Sequence, residues 1–236
     1  SVRFSVRSGE IATGDKASLD LTITQTPKID VLFEPKEVVT DTSGWIPFAF
    51  PYDEAVEPGS APDSSRLLDV PAGKHGRLKS VGDHYEFANV PGKSVRFFAV
   101  NIVAGANFPQ HEDAEKLAER LARMGVNMVR HHHMDAPWSS PSIIDYSGTS
   151  SQKMNAEAVD RLDYLIGQLR KRGIYSYVDL LVHRRAMKDD GIDSYDKLDW
   201  GLKGYSIIDP RLIELQKDYA TKLLTHVNPY TKVALA

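Results

Sequence analysis

At 236 residues, with 42% apolar and 26% charged side chains, the chain has the make-up of a globular protein able to bury a substantial core. A net charge of −3 gives no basic footprint for nucleic acid or for a membrane surface, and no apolar run approaches the roughly 20 residues that cross a bilayer. The absence of cysteine removes disulfides, thiolate metal sites and cysteine nucleophiles, and is compatible with export.

From Val2 to Gln25 apolar residues alternate (Val2, Phe4, Val6, then Leu19, Leu21, Ile23), with turn chemistry at Ser8-Gly-Glu and Thr13-Gly-Asp. Two strands cannot enclose a core. Residues 1–26 are therefore expected to be the C-terminal strands of a β-sandwich, or to pack on segments further along the chain. The pattern begins directly at Ser1, without the charged and apolar regions of a signal peptide. Residues 27–70 are punctuated by Glu34-Pro35, Pro47, Pro51, Pro58-Gly59 and Pro62, which reads as a linker and extended lead-in.

The third region, residues 71–236, opens with short strands at Gly76–Ser80 and His84–Phe87, turned at Val81-Gly-Asp. Such a hairpin suits the bottom of a barrel. Arg96–Val103 is apolar enough for a parallel strand buried on both faces. A helix comes next, with Ala114, Leu117, Ala118, Leu121 and Met124 on one face and Gly125 just past its end. Then come a strand from Val126, a helix carrying Val159, Leu162, Leu165, Ile166 and Leu169 that ends at Lys171-Arg-Gly173, and a strand over Ile174–Val182. Asp209 and Pro210 mark the N-cap and first turn of a third helix, which Asn228-Pro229 stops. Val233–Ala236 reads as the approach to a fourth strand.

Three βα units with right-handed crossovers make an open arc. No G-x-G-x-x-G comes after Val103, so a dinucleotide-binding sheet is disfavoured. The expected fold is α/β: a partial (β/α)8 TIM barrel, comprising the first three βα units and the start of strand four, preceded by the strands of a β-sandwich remnant.

Chemistry-bearing residues gather at the strand ends. On the strand from Val126, Arg130 and His132 point one way and His131 and His133 the other. An arginine there can hold a carboxylate through paired hydrogen bonds. Neutral histidines can donate to sugar hydroxyls, Asp135 can bind a hydroxyl, and the Trp138 indole offers a flat surface to a pyranose ring. His131 reads equally well as a packing histidine. Adjacent side chains on one strand diverge, which disfavours a metal site; a metal-dependent hydrolase using the His131–His133 cluster remains an alternative.

His183 is the counterpart of the Arg130 cluster on the next strand, with Arg184 and Arg185 as loop charges. Asp179, a carboxylate in an apolar run, needs a partner. It either orients His183 or forms an ion pair that positions strands. Asn101 and Asn107 can bridge loops or bind ligand. Asp189-Asp-Gly-Ile-Asp193 resembles half a calcium loop but lacks the closing glutamate, and reads as a solvated loop.

Arg96-Phe-Phe-Ala-Val-Asn-Ile, the helix Glu112–Gly125, Val126-Asn-Met-Val-Arg-His-His132 and His226-Val-Asn-Pro-Tyr-Thr together resemble the N-terminal half of a cellulase-like glycoside hydrolase. Family 5 and its clan A (β/α)8 retaining relatives are the nearest match, over roughly residues 45–236. The resemblance implies that Arg130 contacts the catalytic nucleophile and that His183 lines the sugar site at the scissile bond, although its spacing from Asp179 departs from the family's Asp-x-His. It implies too that residues 1–25 belong to a carbohydrate-binding module.

The family's acid/base glutamate ends strand four and its nucleophile ends strand seven, so both are expected after Ala236 and no catalytic residue is assigned within this chain. Arg130, His132, His133, Asp135, Trp138 and His183 are then substrate-binding or site-supporting residues. The expected protein is a secreted or periplasmic retaining glycosidase acting on β-linked polysaccharide. It needs no cofactor or metal and has no nucleic-acid or membrane partner; its partners are a polysaccharide or oligosaccharide and the remaining C-terminal half of the barrel. A non-catalytic glycan-binding or structural barrel is the alternative from another class.

Overall fold

The computed structural model describes residues 41–45, 63–198 and 201–235. The chain divides into two compact units, Ser1–Tyr52 and Asp53–Ala236. In the first, Asp41–Trp45 forms a turn in which Asp41 Oδ1 accepts from the Ser43 amide at 2.9 Å. The β-sandwich expected over residues 1–26, and most of the lead-in expected over 27–70, lie outside the described residues.

In the second unit, Leu78–Val81 (β1) and His84–Phe87 (β2) form the expected hairpin, with Leu78 opposite Phe87 and the turn at Gly82-Asp83. Ser94–Val95 (β3) adds a third antiparallel strand beside β2. Phe87 stacks on Tyr175 at 5.2 Å, so this small sheet packs at the N-terminal end of a strand of the second sheet.

That second sheet is parallel: Ala99–Val103 (β4), Met128–His132 (β5) and Tyr175–Val178 (β6), in the order β4-β5-β6. Its register aligns Asn101 with Arg130 and Arg130 with Tyr177. Strand neighbours in sequence order, joined by helices, match the opening of a barrel.

His111–Arg123 (α1) and Ala156–Lys171 (α2) make the two crossovers. Glu112 and Asp113 open α1 and Arg120 and Arg123 close it, each sign complementing the helix dipole. Asn155 caps α2 by accepting from the amides of Glu157 and Ala158.

Both helices end identically. After α1 the Gly125 amide bonds to Ala122 O and the Val126 amide to Leu121 O; after α2 Gly173 bonds to Arg170 O and Ile174 to Leu169 O. This Schellman pairing needs a left-handed residue, and Gly125 and Gly173 supply φ of 77° and 81°. Each delivers a buried aliphatic residue, Val126 or Ile174, into the next strand.

One face of the sheet packs on these helices. Ile102, Val129 and Ile174 meet Ala114, Ala118 and Leu121 of α1 and Leu165 and Leu169 of α2 in the main core. A second core joins Phe108, Met134, Ile143, Ile144, Leu162 and Ile166 to Tyr219 and Leu223 of the third helix, Pro210–Thr225 (α3), beneath the strand exits.

Three expectations need correction. β4 is not buried on both faces: Ala99, Asn101 and Val103 are exposed, because α1 and α2 cover only one side. The strand expected over Ile174–Val182 stops at Val178, where the chain turns away to the site. Val233–Leu235 does not begin a fourth parallel strand. Instead Asn228 Oδ1 accepts from the Tyr230 and Thr231 amides and Lys232 adopts φ of 61°, so the segment folds back and Ala234 pairs antiparallel with Val227.

Candidate functional site

Met128, Arg130 and His132 alternate with the buried Val129 and His131, so the guanidinium lies on the face away from α1 and α2. Asp179 sits one residue past β6, placed there by its amide bonding to His131 O at 3.3 Å. Its carboxylate accepts from Arg130 Nη2 at 2.8 Å and Nε at 3.2 Å, and also from His132 Nδ1. Two parallel N–H···O contacts fix the plane of the guanidinium as well as its position. Asp179 thus pairs with two side chains of the neighbouring strand.

His131 is a packing residue. It is fully buried on the helix side, donating from Nδ1 to Asn107 Oδ1 at 3.0 Å and accepting at Nε2 from Ser176 Oγ at 3.1 Å. The orientation of Asn107 follows from its amide nitrogen, which bonds the carbonyls of Ile102, Ala104 and His132 at 3.3, 3.0 and 3.0 Å. Asn107 therefore ties the exits of β4 and β5 together. Burial holds the His131 imidazole far from protonation, with its pKa lowered to about 4.

Strand alternation would put His133 beside His131. It does not lie there. A left-handed backbone, φ 55°, ends β5 at this residue and turns its ring to within 4.1 Å of His132. His133 also packs at 5.4 Å from both Trp138 and His183, and Trp138 lies 5.8 Å from His183. Burial and the neighbouring His132, His183 and Lys203 lower the pKa of His133, keeping it neutral near pH 7. Among the described residues its Nδ1 is buried without a partner, a cost of about 1–3 kcal/mol that is tolerated here beside a site. The histidines do not converge on an ion, and among the described residues no three His, Cys, Asp or Glu side chains are arranged to hold a metal.

Asp135 is 2% exposed and does not face the open site. Its two oxygens accept from the Val182 and His183 amides at 2.9 and 3.0 Å, fixing the loop after β6. Its carbonyl accepts from Tyr146 Oη at 2.8 Å, and that hydroxyl accepts from the Arg185 amide at 3.3 Å. Trp138 is 48% exposed, so one side of its indole is open beside the histidines.

Two loop charges differ from expectation. Arg184 is buried, donating to Ser151 Oγ, Ser151 O and Leu215 O. Asp190 is also buried and accepts from Ser150, Ser151 and the Met187 amide. They form one polar network under the strand exits, signalled in sequence only by Ser150-Ser151, forty residues from Asp190.

An arginine–carboxylate pair that also holds His132 lies at the C-terminal ends of parallel strands, and His132 joins His133, His183 and Trp138 in one ring cluster there, the end where such scaffolds keep their chemistry. No family model matches the chain, and no curated protein matches its sequence. Among solved structures, it is similar to the endo-1,4-beta-mannanase from Rhizomucor miehei at 19% identity, covering 68% of this chain and 44% of that one, with a TM-score of 0.49. It is also similar to the glycoside hydrolase family 5 mannosidase from the same organism (15% identity, 67% and 45% covered, TM-score 0.47). A third is the endo-beta-1,4-mannanase from Thermotoga petrophila (20% identity, 61% and 32% covered, TM-score 0.39). The chain spans less than half the length of each of these proteins.

Proposed function

We propose that this chain forms the glycan-binding front of a retaining glycoside hydrolase, exported and acting on β-linked polysaccharide. The observation that carries the reading is Arg130: it stands on the open face at a strand exit, fixed in plane by Asp179, which also holds His132, the residue that leads into the ring cluster of His133, His183 and a half-exposed Trp138. A sugar ring stacked on the indole would meet imidazole donors at its edge. Arg130 keeps three of its five N–H donors uncommitted among the described residues, enough to orient a nucleophilic carboxylate, the role that the family resemblance implies.

Retaining hydrolysis needs two carboxyls about 5–5.5 Å apart, one as nucleophile and one as proton donor. Asp179 is held by Arg130 and His132, and Asp135 by two backbone amides. Neither is placed to serve as acid or nucleophile. A glycan-binding barrel front without hydrolysis is the second reading.

Release of reducing ends from β-linked polysaccharides, measured on this chain and on a longer protein containing it, separates the two. Cleavage by the longer protein alone supports the first. Binding without cleavage by either supports the second, and no binding rejects both.

A further inference from the structure

His84 opens β2 with a carboxylate at each of its ring nitrogens. Its Nδ1 lies 3.0 Å from Asp83 Oδ1, in the hairpin turn. Its Nε2 lies 2.9 Å from Oε1 of Glu86, two residues along the same face of the strand. The other oxygen of Glu86 accepts from the Gly92 amide at 2.8 Å, in the turn between β2 and β3. One line of contacts, Asp83–His84–Glu86–Gly92, therefore joins the two turns that bound β2.

The protonation of this line follows from its chemistry. An ionised carboxylate only accepts hydrogen bonds, and a neutral imidazole has one N–H and one lone pair. Two carboxylates at hydrogen-bond distance thus require N–H groups on both ring nitrogens, which only the imidazolium has. Both carboxyls are held ionised: the bond from His84 lowers the pKa of Asp83, and the Gly92 amide, followed by His84, lowers that of Glu86. The same two contacts, Asp83 first and Glu86 second, raise the pKa of His84 above its usual value.

The neighbouring strands bring no competing charge against the ring. Val81 of β1 stands opposite His84, Lys79 opposite Glu86, and Ser94 of β3 on the other side of Glu86. Lys79, Arg77 just ahead of β1 and Lys93 beside Gly92 form no ion pair with Asp83 or Glu86 among the described residues. His75 packs on Phe87, the next residue along β2, and is matched with Asp69. The turn that Gly92 belongs to also borders a cavity of about 180 Å³, where Val90 and Lys93 meet Phe87, Asn127 and Tyr175 at the N-terminal ends of the parallel strands.

We propose that His84 is a pH-sensitive clasp of the small sheet: charged, it ties the β1–β2 turn to the β2–β3 turn and steadies that wall of the cavity, and neutral, it holds only one of its two carboxylates and breaks the tie. The inference stands apart from the glycan reading, since none of these residues belongs to the Trp138 cluster. The clasp is complete below about pH 6.5, the ordinary midpoint of an unfolded histidine, and is lost as pH rises through the higher midpoint of the folded chain.

The test is an NMR titration of the nitrogen-15-labelled chain from about pH 5 to 9. The His84 ring should carry protons on both nitrogens at the acid end and lose one with a midpoint above 6.5. The Val90 and Gly92 amides should shift with that same midpoint. Protection of the Gly92 amide against hydrogen exchange, corrected for the intrinsic rate, should fall about threefold or more across it. Asp83→Asn and Glu86→Gln should each move the His84 midpoint down, and Glu86→Gln should also remove the Gly92 response.

A His84 midpoint at or below 6.5 would overturn the proposal, as would a Gly92 amide indifferent to the titration of the ring. Neither reading needs a substitution. An unchanged midpoint in the Asp83→Asn, Glu86→Gln double variant would overturn it as well, because the ring would then owe nothing to its two neighbours.

Discussion

Arg130 and Asp179, 49 residues apart, meet at the exits of adjacent parallel strands through two nitrogen–oxygen contacts of 2.8 and 3.2 Å. The carboxylate also takes His132, so one aspartate fixes two side chains of β5. Asp179→Asn replaces one acceptor oxygen with a donor and removes the charge, leaving Arg130 and His132 without their common partner. It should lower stability by about 1–3 kcal/mol in urea melts and abolish detectable glycan binding. Unchanged binding would show that the pair only holds the strands together.

Trp138 carries little of the core, since nearly half its surface is open. Trp138→Ala should therefore leave the thermal midpoint within a few degrees while weakening polysaccharide binding about tenfold, near 1.4 kcal/mol. Calorimetric titration beside a melt separates the two effects.

His131 gives a pH signature. Its pKa is about 6.5 when unfolded and about 4 when folded, so between these values the unfolded chain binds a proton that the folded chain does not. The stabilising effect of a neutral His131 is complete above pH 6.5 and is lost as pH falls towards 4, up to roughly 3 kcal/mol. Urea melts from pH 7.5 to 4.5 should show this decline, and His131→Asn should make it shallower. Parallel slopes in the two proteins would sink the assignment.

Gly173 is required twice over. Its φ is 81°, and a Cβ would stand 2.9 Å from Asp69 O and 3.1 Å from the carbon of the same carbonyl. Gly173→Ala should cost roughly 1–3 kcal/mol, read as a drop in the denaturation midpoint. Gly148→Ala, with nothing within 4 Å of its Cβ, should cost far less.

What could be read from the sequence was local. Met124-Gly-Val126 and Arg172-Gly-Ile174 announce helix ends because the Schellman bonds span only six residues. Asp209 and Pro210 mark the start of α3 for the same reason. Period-two alternation places Arg130 and His132 on one face. It fails one residue later, because a left-handed histidine breaks the alternation and nothing in His131-His-His133 says which residue will turn.

The partners of Asp179, Asp135 and Asp190 are hidden by distance along the chain. The Asp179 and Asp135 contacts cross from one strand exit to the next, over 47 to 49 residues, and Asp190 reaches back some forty residues to Ser150-Ser151. Such pairings exist only once β5 and β6 lie side by side. Residues 226–235 mislead in another way. Val233 and Leu235 look strand-like, but the Asn228 side chain closes a turn first.

Asp135 belongs to the segment leaving β5, yet both its oxygens grip amides of the segment leaving β6. The two exits are yoked. A ligand settling on the indole of one would meet the imidazole of the other, whose centre lies 5.8 Å away, so recognition at this edge would draw on both loops at once.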